Sequence, residues 1–194
     1  MSNVLLISSD CHAGALPATY NKYLPAKYHK AAEAWWLSYV KEMMKRAGTF
    51  FDQEAVDAYA EKAGGAGQFQ TFQQSKGKID DSALMDLLND GTSPFSPRAG
   101  EWDMQARSKE LEDDGIAGEV IFPQMAPFGA GLMQYRNPVD PEQNLEGTRA
   151  YNRWLADFCN TNPGRHAGVA IINVDDIEVS CQEVRKAKEA GLWG

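Results

Sequence analysis

Short apolar runs alternate with stretches of helical spacing through most of this chain, and the alternation predicts its elements. Val4 to Ser9, Gly118 to Pro123 and Ala167 to Val174 read as three strands. The second and third are almost continuously apolar, as strands covered on both faces are. Asp103 followed by Met104, Ser108 and Leu111 predicts a capped helix that stops at Asp114-Gly115. Leu145, Tyr151, Trp154, Leu155, Phe158 and Cys159 form a second helical stripe, closed by Asn162-Pro163-Gly164. A third helix starts at Asp175 or Asp176, with Ile177, Cys181, Val184 and Ala187 expected inward and Gly191 as its stop. Strands alternating with helices in this way predict right-handed βαβ units and a parallel sheet.

Residues 14–100 interrupt the rhythm. They contain a patterned helix through Trp36, Tyr39, Val40, Met43, Met44 and Ala47, and a second helix from Asp52 carrying Val56, Tyr59, Ala60 and Ala63. A Gly/Gln-rich loop from Gly64 to Gly77, a short helix from Asp80 to Leu88 and a turn-rich connector through Ser93-Pro94 and Ser96-Pro97 follow. An insertion here is expected to lie over the carboxyl ends of the strands, where α/β folds build their sites. Most of its aromatics are expected to be core. Trp35 and Trp36, if exposed, would mark a homo-oligomer contact or a docking face.

The first strand runs into the candidate chemistry. Asp10 and His12 are two residues apart, so on an extended backbone they point to the same side, with Cys11 pointing away. A carboxylate and an imidazole presented together suit a divalent metal such as zinc. The competing reading is a strand that ends in a turn, with Asp10 as a cap and His12 solvated. Gln124, Met125 and Phe128, just after the second strand, are candidates for a substrate-pocket wall, with plain loop packing as the alternative. His29 reads as a surface residue, and His166, at the amino end of the third strand, as structural.

Composition narrows the possibilities. The 194 residues carry 19 basic and 27 acidic side chains, a formal charge of -8, and no basic stripe that would favour nucleic acid or an anionic membrane. Three cysteines without CxxC spacing point to free thiols in a reducing compartment. With no apolar stretch of about 18 residues and no signal-peptide pattern, a soluble cytoplasmic protein is expected.

Three ordered segments resemble the amidohydrolase-related enzymes that include aminocarboxymuconate-semialdehyde decarboxylase-like proteins. The segments are Ile7 to His12, Glu101-Trp102-Asp103 through Leu111 to Pro123, and Arg149 to Cys159 with Asn162 to Arg165 and Gly168 to Ala170. The resemblance implies an α/β fold: the N-terminal part of a TIM-like (β/α)8 barrel forming one domain over 1–194, with a long helical insertion at 14–100 after the first strand. It also implies a metal-dependent hydrolase or non-oxidative decarboxylase acting on a small carboxylate or a cyclic or aromatic substrate. Asp10 and His12 would be ligands of zinc or, as an alternative, manganese. The family's first motif is often His-x-His, and Asp10 stands here for its first histidine.

The family's further ligands come from later strands: histidines near the fifth and sixth and an aspartate near the eighth. These strands are not found in this sequence, nor are the catalytic acid and base. The chain is therefore expected to be truncated, nicked, or paired with a remaining barrel segment on the same or another polypeptide. The rival from another class is a catalytically inactive barrel fragment serving as a scaffold or interaction protein.

Overall fold

The computed structural model describes residues 5–50, 80–92, 98–129 and 140–194, with the side chains of 43–50 left aside. The helix expected from Asp52, the Gly/Gln-rich loop and the Ser93–Pro97 connector lie outside the described residues, as do Val4 and the side chains of Met43, Met44 and Ala47. Three strands, β1 (Leu6–Ala13), β2 (Ile116–Pro123) and β3 (His166–Gly168), make a parallel sheet in the order β1-β2-β3. Helix α1 (His29–Phe50) follows two 3₁₀ turns after β1. Then come α2 (Asp81–Asn89), α3 (Ala99–Trp102) and α4 (Met104–Asp113) before β2, α5 (Pro141–Asn160) before β3, and α6 (Ile177–Glu189) after it. The fold is α/β.

Local chemistry sets the helix starts. Asp80, Asp103 and Asp176 each accept a hydrogen bond from a backbone N–H in the first turn of α2, α4 and α6, and Asp140 accepts two at the start of α5. Gly115 and Gly191 take positive φ just beyond α4 and α6, where a side chain would be strained. One core binds the elements together: Ile121 of β2 packs with Met104, Tyr151, Trp154, Leu155 and Ala187. The first part of the insertion sits at the carboxyl end of the strands. Tyr20 donates to the Met125 carbonyl, and the Tyr28 ring meets Phe128 edge-on.

Several expectations change on contact with packing. β1 runs through to Ala13, beyond the apolar run, because a ladder uses backbone groups and tolerates the polar stretch Ser8 to His12. β3 is shorter than the apolar run predicts. Beyond Gly168 the backbone of Ile171 is bound on both sides by the amide of Asn152 instead of by a strand.

Helix α6 turns a different face inward. Ser180, Glu183 and Ala187 are buried, whereas Cys181 is exposed and Ile177 and Val184 are 71% and 52% exposed. Arg149 on α5 draws Glu183 in with two hydrogen bonds to Oε1, and Ser180 donates to the Asn173 carbonyl. Trp36 is buried and Trp35 is partly buried against the core, so this pair forms no exposed aromatic patch. The pairing of the two rings edge-on and the stacking of Trp35 on Tyr39 hold them there.

The carboxyl-terminal residues reach the free edge of the sheet. Trp193 N–H donates to the Gly168 carbonyl, and Ala170 N–H to the Gly194 carbonyl. These two bonds hold Trp193 and Gly194 against the end of β3 and the residues just after it. Phe122, Leu6 and Ile7 remain 37%, 49% and 52% exposed on the sheet. No helix among the described residues is long and apolar enough to cross a membrane.

Candidate metal centre

The ladder between β1 and β2 is irregular where the site forms. Ser8 pairs with Glu119 and Cys11 with Ile121, so β1 spends one residue more than β2 over this step. A bulge of this kind redirects side chains. Ser8 is turned to the side of Cys11, whose Sγ donates to Ser8 Oγ at 3.0 Å. Asp10 and His12 project to the other side, where Asp10 Oδ1 lies 3.5 Å from His12 Nε2. The Asp10 side chain is 85% exposed and that of His12 is 42% exposed. The structure thus brings together the two residues that spacing singled out, through a bulge that spacing does not reveal.

The imidazole is held by its other nitrogen. His12 Nδ1 lies 3.1 Å from the carbonyl oxygen of Pro123, the last residue of β2. A carbonyl only accepts, so the neutral ring carries its proton on Nδ1 and leaves the Nε2 lone pair facing Asp10. Metal-binding histidines are oriented in this way by an acceptor behind the ring. Two donors about 2 Å from a tetrahedral ion stand roughly 3.3 Å apart, close to the spacing observed here. The donor set fits a divalent cation. Phe122, paired with His12 in register, packs its ring against the imidazole with centroids 6.3 Å apart. Among the described residues no group of three or more His, Cys, Asp or Glu side chains gathers around a common point.

The backbone at this end of β1 is tied from four directions. Arg107 Nη1 donates to the His12 carbonyl, Tyr151 Oη to that of Ala13, Gly14 N–H to that of Glu101, and Ala15 N–H to Tyr20 Oη. Behind them lies a buried ionic cluster. Arg107 grips Glu119 with Nε at 2.6 Å and Nη2 at 2.7 Å, and His166 Nδ1 lies 2.7 Å from Glu119 Oε1. Burial alone would raise the Glu119 carboxyl, but the bonds from His166 and Arg107 outweigh it and hold it at about 2. Burial likewise pushes the Cys11 thiol up.

The structural role read for His166 agrees with its fully buried side chain. His29 is half-buried, with Nε2 2.9 Å from the Leu24 carbonyl. The sequence reading missed the cluster itself. Its signal was a glutamate in the middle of a β-branched run, which requires a buried cation.

The three candidate wall residues separate. Gln124 is half-buried, its amide donating to Glu101 Oε2 at 2.7 Å. Met125 is partly buried against the core. Phe128 is 1% exposed, enclosed with Tyr28 and Ala150, and it takes a positive φ of 62° in the turn after β2. It holds the loop from behind and presents no surface to a ligand. A separate cleft of about 250 Å³ opens between α5 and α6, lined by Arg149, Arg153, Glu146, Glu183 and Lys186. Its charges already answer one another.

The fold and site define an α/β protein with a carboxylate–imidazole pair at the carboxyl end of its first strand. No protein-family model matches the chain, and no curated protein matches it significantly.

Proposed function

We propose that Asp10 and His12 are two ligands of a divalent metal, zinc or manganese, in a hydrolase or non-oxidative decarboxylase. Its substrate would be a small carboxylate or a cyclic or aromatic compound. The observation that carries this reading is the His12 ring, fixed through Nδ1 on the Pro123 carbonyl with Nε2 turned to Asp10 Oδ1 at 3.5 Å. Hydrogen-bonded orientation of that kind costs side-chain entropy and is unneeded by a solvated turn residue.

The proposal includes a barrel. Parallel strands in sequential order with right-handed crossovers put every helix on one face, and rolling the sheet closed covers the other. The order β1-β2-β3, the uncovered Phe122, and Trp193–Gly194 lying beside β3 all support it. The remaining strands would supply the other ligands and the acid or base, on this or another polypeptide. The free thiols suit a reducing compartment, so a cytoplasmic location belongs to the proposal.

In that setting Asp10 and His12 would hold the cation, and the Phe122 ring lies beside the His12 imidazole. Gln124, whose amide donates to Glu101, lies at the same end of the sheet. A bound metal would lower the pKa of a coordinated water or stabilise charge developing on a carbonyl or carboxylate oxygen.

A second reading, an interaction protein without chemistry, is favoured by the uncovered apolar residues Leu6, Ile7 and Phe122. Metal analysis separates the two. We expect the purified protein to carry or take up one zinc or manganese per chain, and Asp10→Ala with His12→Ala to lose it while remaining folded. Stoichiometric metal retained by the double variant overturns the assignment, and absence of metal from the wild-type protein favours the interaction reading.

A further inference from the structure

Arg107 makes more contacts than its ion pair requires. Two of its nitrogens, Nε and Nη2, already engage both oxygens of Glu119, which neutralises a buried carboxylate in the planar fork that arginine favours. His166 steadies the same carboxylate from β3. The third nitrogen, Nη1, is left over, and it donates to two main-chain carbonyls: Gly100 at 2.7 Å and His12 at 3.1 Å. An arginine clamped at one end on β2 therefore holds the backbone of His12 with the other.

His12 is then attached to β2 twice. Its carbonyl reaches Glu119 through Arg107, and its ring reaches Pro123 directly. The first attachment fixes the plane of the peptide that follows His12, and with it the direction in which the side chain leaves the strand. The second fixes the ring. The bulge between Ser8 and Cys11 lies just before this stretch, and the ladder that resumes at Cys11 pairs His12 with Phe122, so the hold of Arg107 on the carbonyl adds to that pairing.

The geometry points to Arg107 as a positioning residue for His12: its Nη1 holds the His12 carbonyl so that the imidazole stays on Pro123 with Nε2 turned to Asp10. The role in metal binding rests on the proposed function; the orientation of the ring does not.

Arg107→Lys tests it. Lysine keeps the charge beside Glu119, but one ammonium cannot grip both carboxylate oxygens and two carbonyls. The readout is the tautomer of His12, from nitrogen-15 NMR at a pH where the neutral ring dominates, beside cobalt(II) titration. The wild-type ring is expected as the Nδ1–H form. In Arg107→Lys it should shift toward the Nε2–H form that an unconstrained histidine side chain prefers, and cobalt(II) affinity should fall about 10- to 100-fold. Should that variant unfold, Arg107→Met with Glu119→Gln removes both charges while leaving His166 an acceptor, and the same tautomer shift is expected.

A folded variant with the wild-type tautomer overturns the role. Unfolding of both variants also overturns it, because Arg107 would then hold the sheet and not aim one ring. The two failures are distinct. A wild-type protein that binds no cobalt(II), but whose Nδ1–H form Arg107→Lys loses, defeats the metal reading alone. Unchanged tautomer and affinity in a folded Arg107→Lys defeat the positioning role alone.

Discussion

Glu119 is walled in between Arg107 and His166 with none of its side chain exposed, and this couples its protonation to folding. Its folded pKa is about 2, below the ordinary glutamate value of about 4.3. As pH falls the unfolded chain takes up this proton first, so the contribution is complete above about pH 5 and is lost as pH falls toward 2. It amounts to something on the order of 3 kcal/mol. Glu119→Gln should destabilise the protein near neutral pH, since Arg107 is left buried and unpaired. The difference in urea midpoint from wild type should shrink as pH is lowered through that window; a constant difference would contradict the account.

The thiols differ at the same scale. Cys181 is exposed, Cys11 is half-buried with its thiol raised by burial, and Cys159 is buried and raised to about 11. Since the thiolate is the nucleophile, labelling with iodoacetamide followed by mass spectrometry should modify Cys181 first, Cys11 later and Cys159 last. Early modification of Cys159 would show that α5 opens readily.

Among the elements, α5 makes a close joint with the turn after β2. A Cβ at Gly147 would overlap the Pro127 carbonyl oxygen and press on the Phe128 ring, so the helix lies directly on the turn that follows β2. Gly147→Ala should cost about 1–3 kcal/mol through overpacking, read as a lower urea midpoint; an unchanged midpoint would mean the turn yields freely. Helix α4 was legible in the sequence because its aspartate cap and apolar spacing agree with its burial, and α5 because its apolar stripe does.

α6 was legible as a helix but not in its orientation. Apolar spacing chose Ile177 and Val184, whereas the Arg149–Glu183 pair and the Ser180 hydroxyl decide which side faces inward. Two-residue spacing found Asp10 and His12, yet not the bulge between Ser8 and Cys11, because register depends on the partner strand. The acceptor that orients His12 is a main-chain carbonyl 111 positions away, which carries no residue-type signal at all.

For the whole molecule, the sheet divides into a covered side and an open one. Ile121 is fully buried among α4, α5 and α6, while Phe122, one residue on, is 37% exposed beside His12. The metal-binding proposal puts the cation on that open side, at the carboxyl end of the strands and away from the charged cleft between α5 and α6. Acidic surfaces attract cations loosely, and the chain carries 27 acidic residues, so a bound metal must be located as well as counted. Paramagnetic broadening by manganese(II) in the NMR spectrum does both. Sub-stoichiometric manganese should broaden Asp10, His12 and Phe122 first and leave α5 and α6 sharp, with the effect lost in Asp10→Ala with His12→Ala. Broadening centred on α5 or α6, or persisting unchanged in that double variant, would contradict the assignment of Asp10 and His12 as a metal pair.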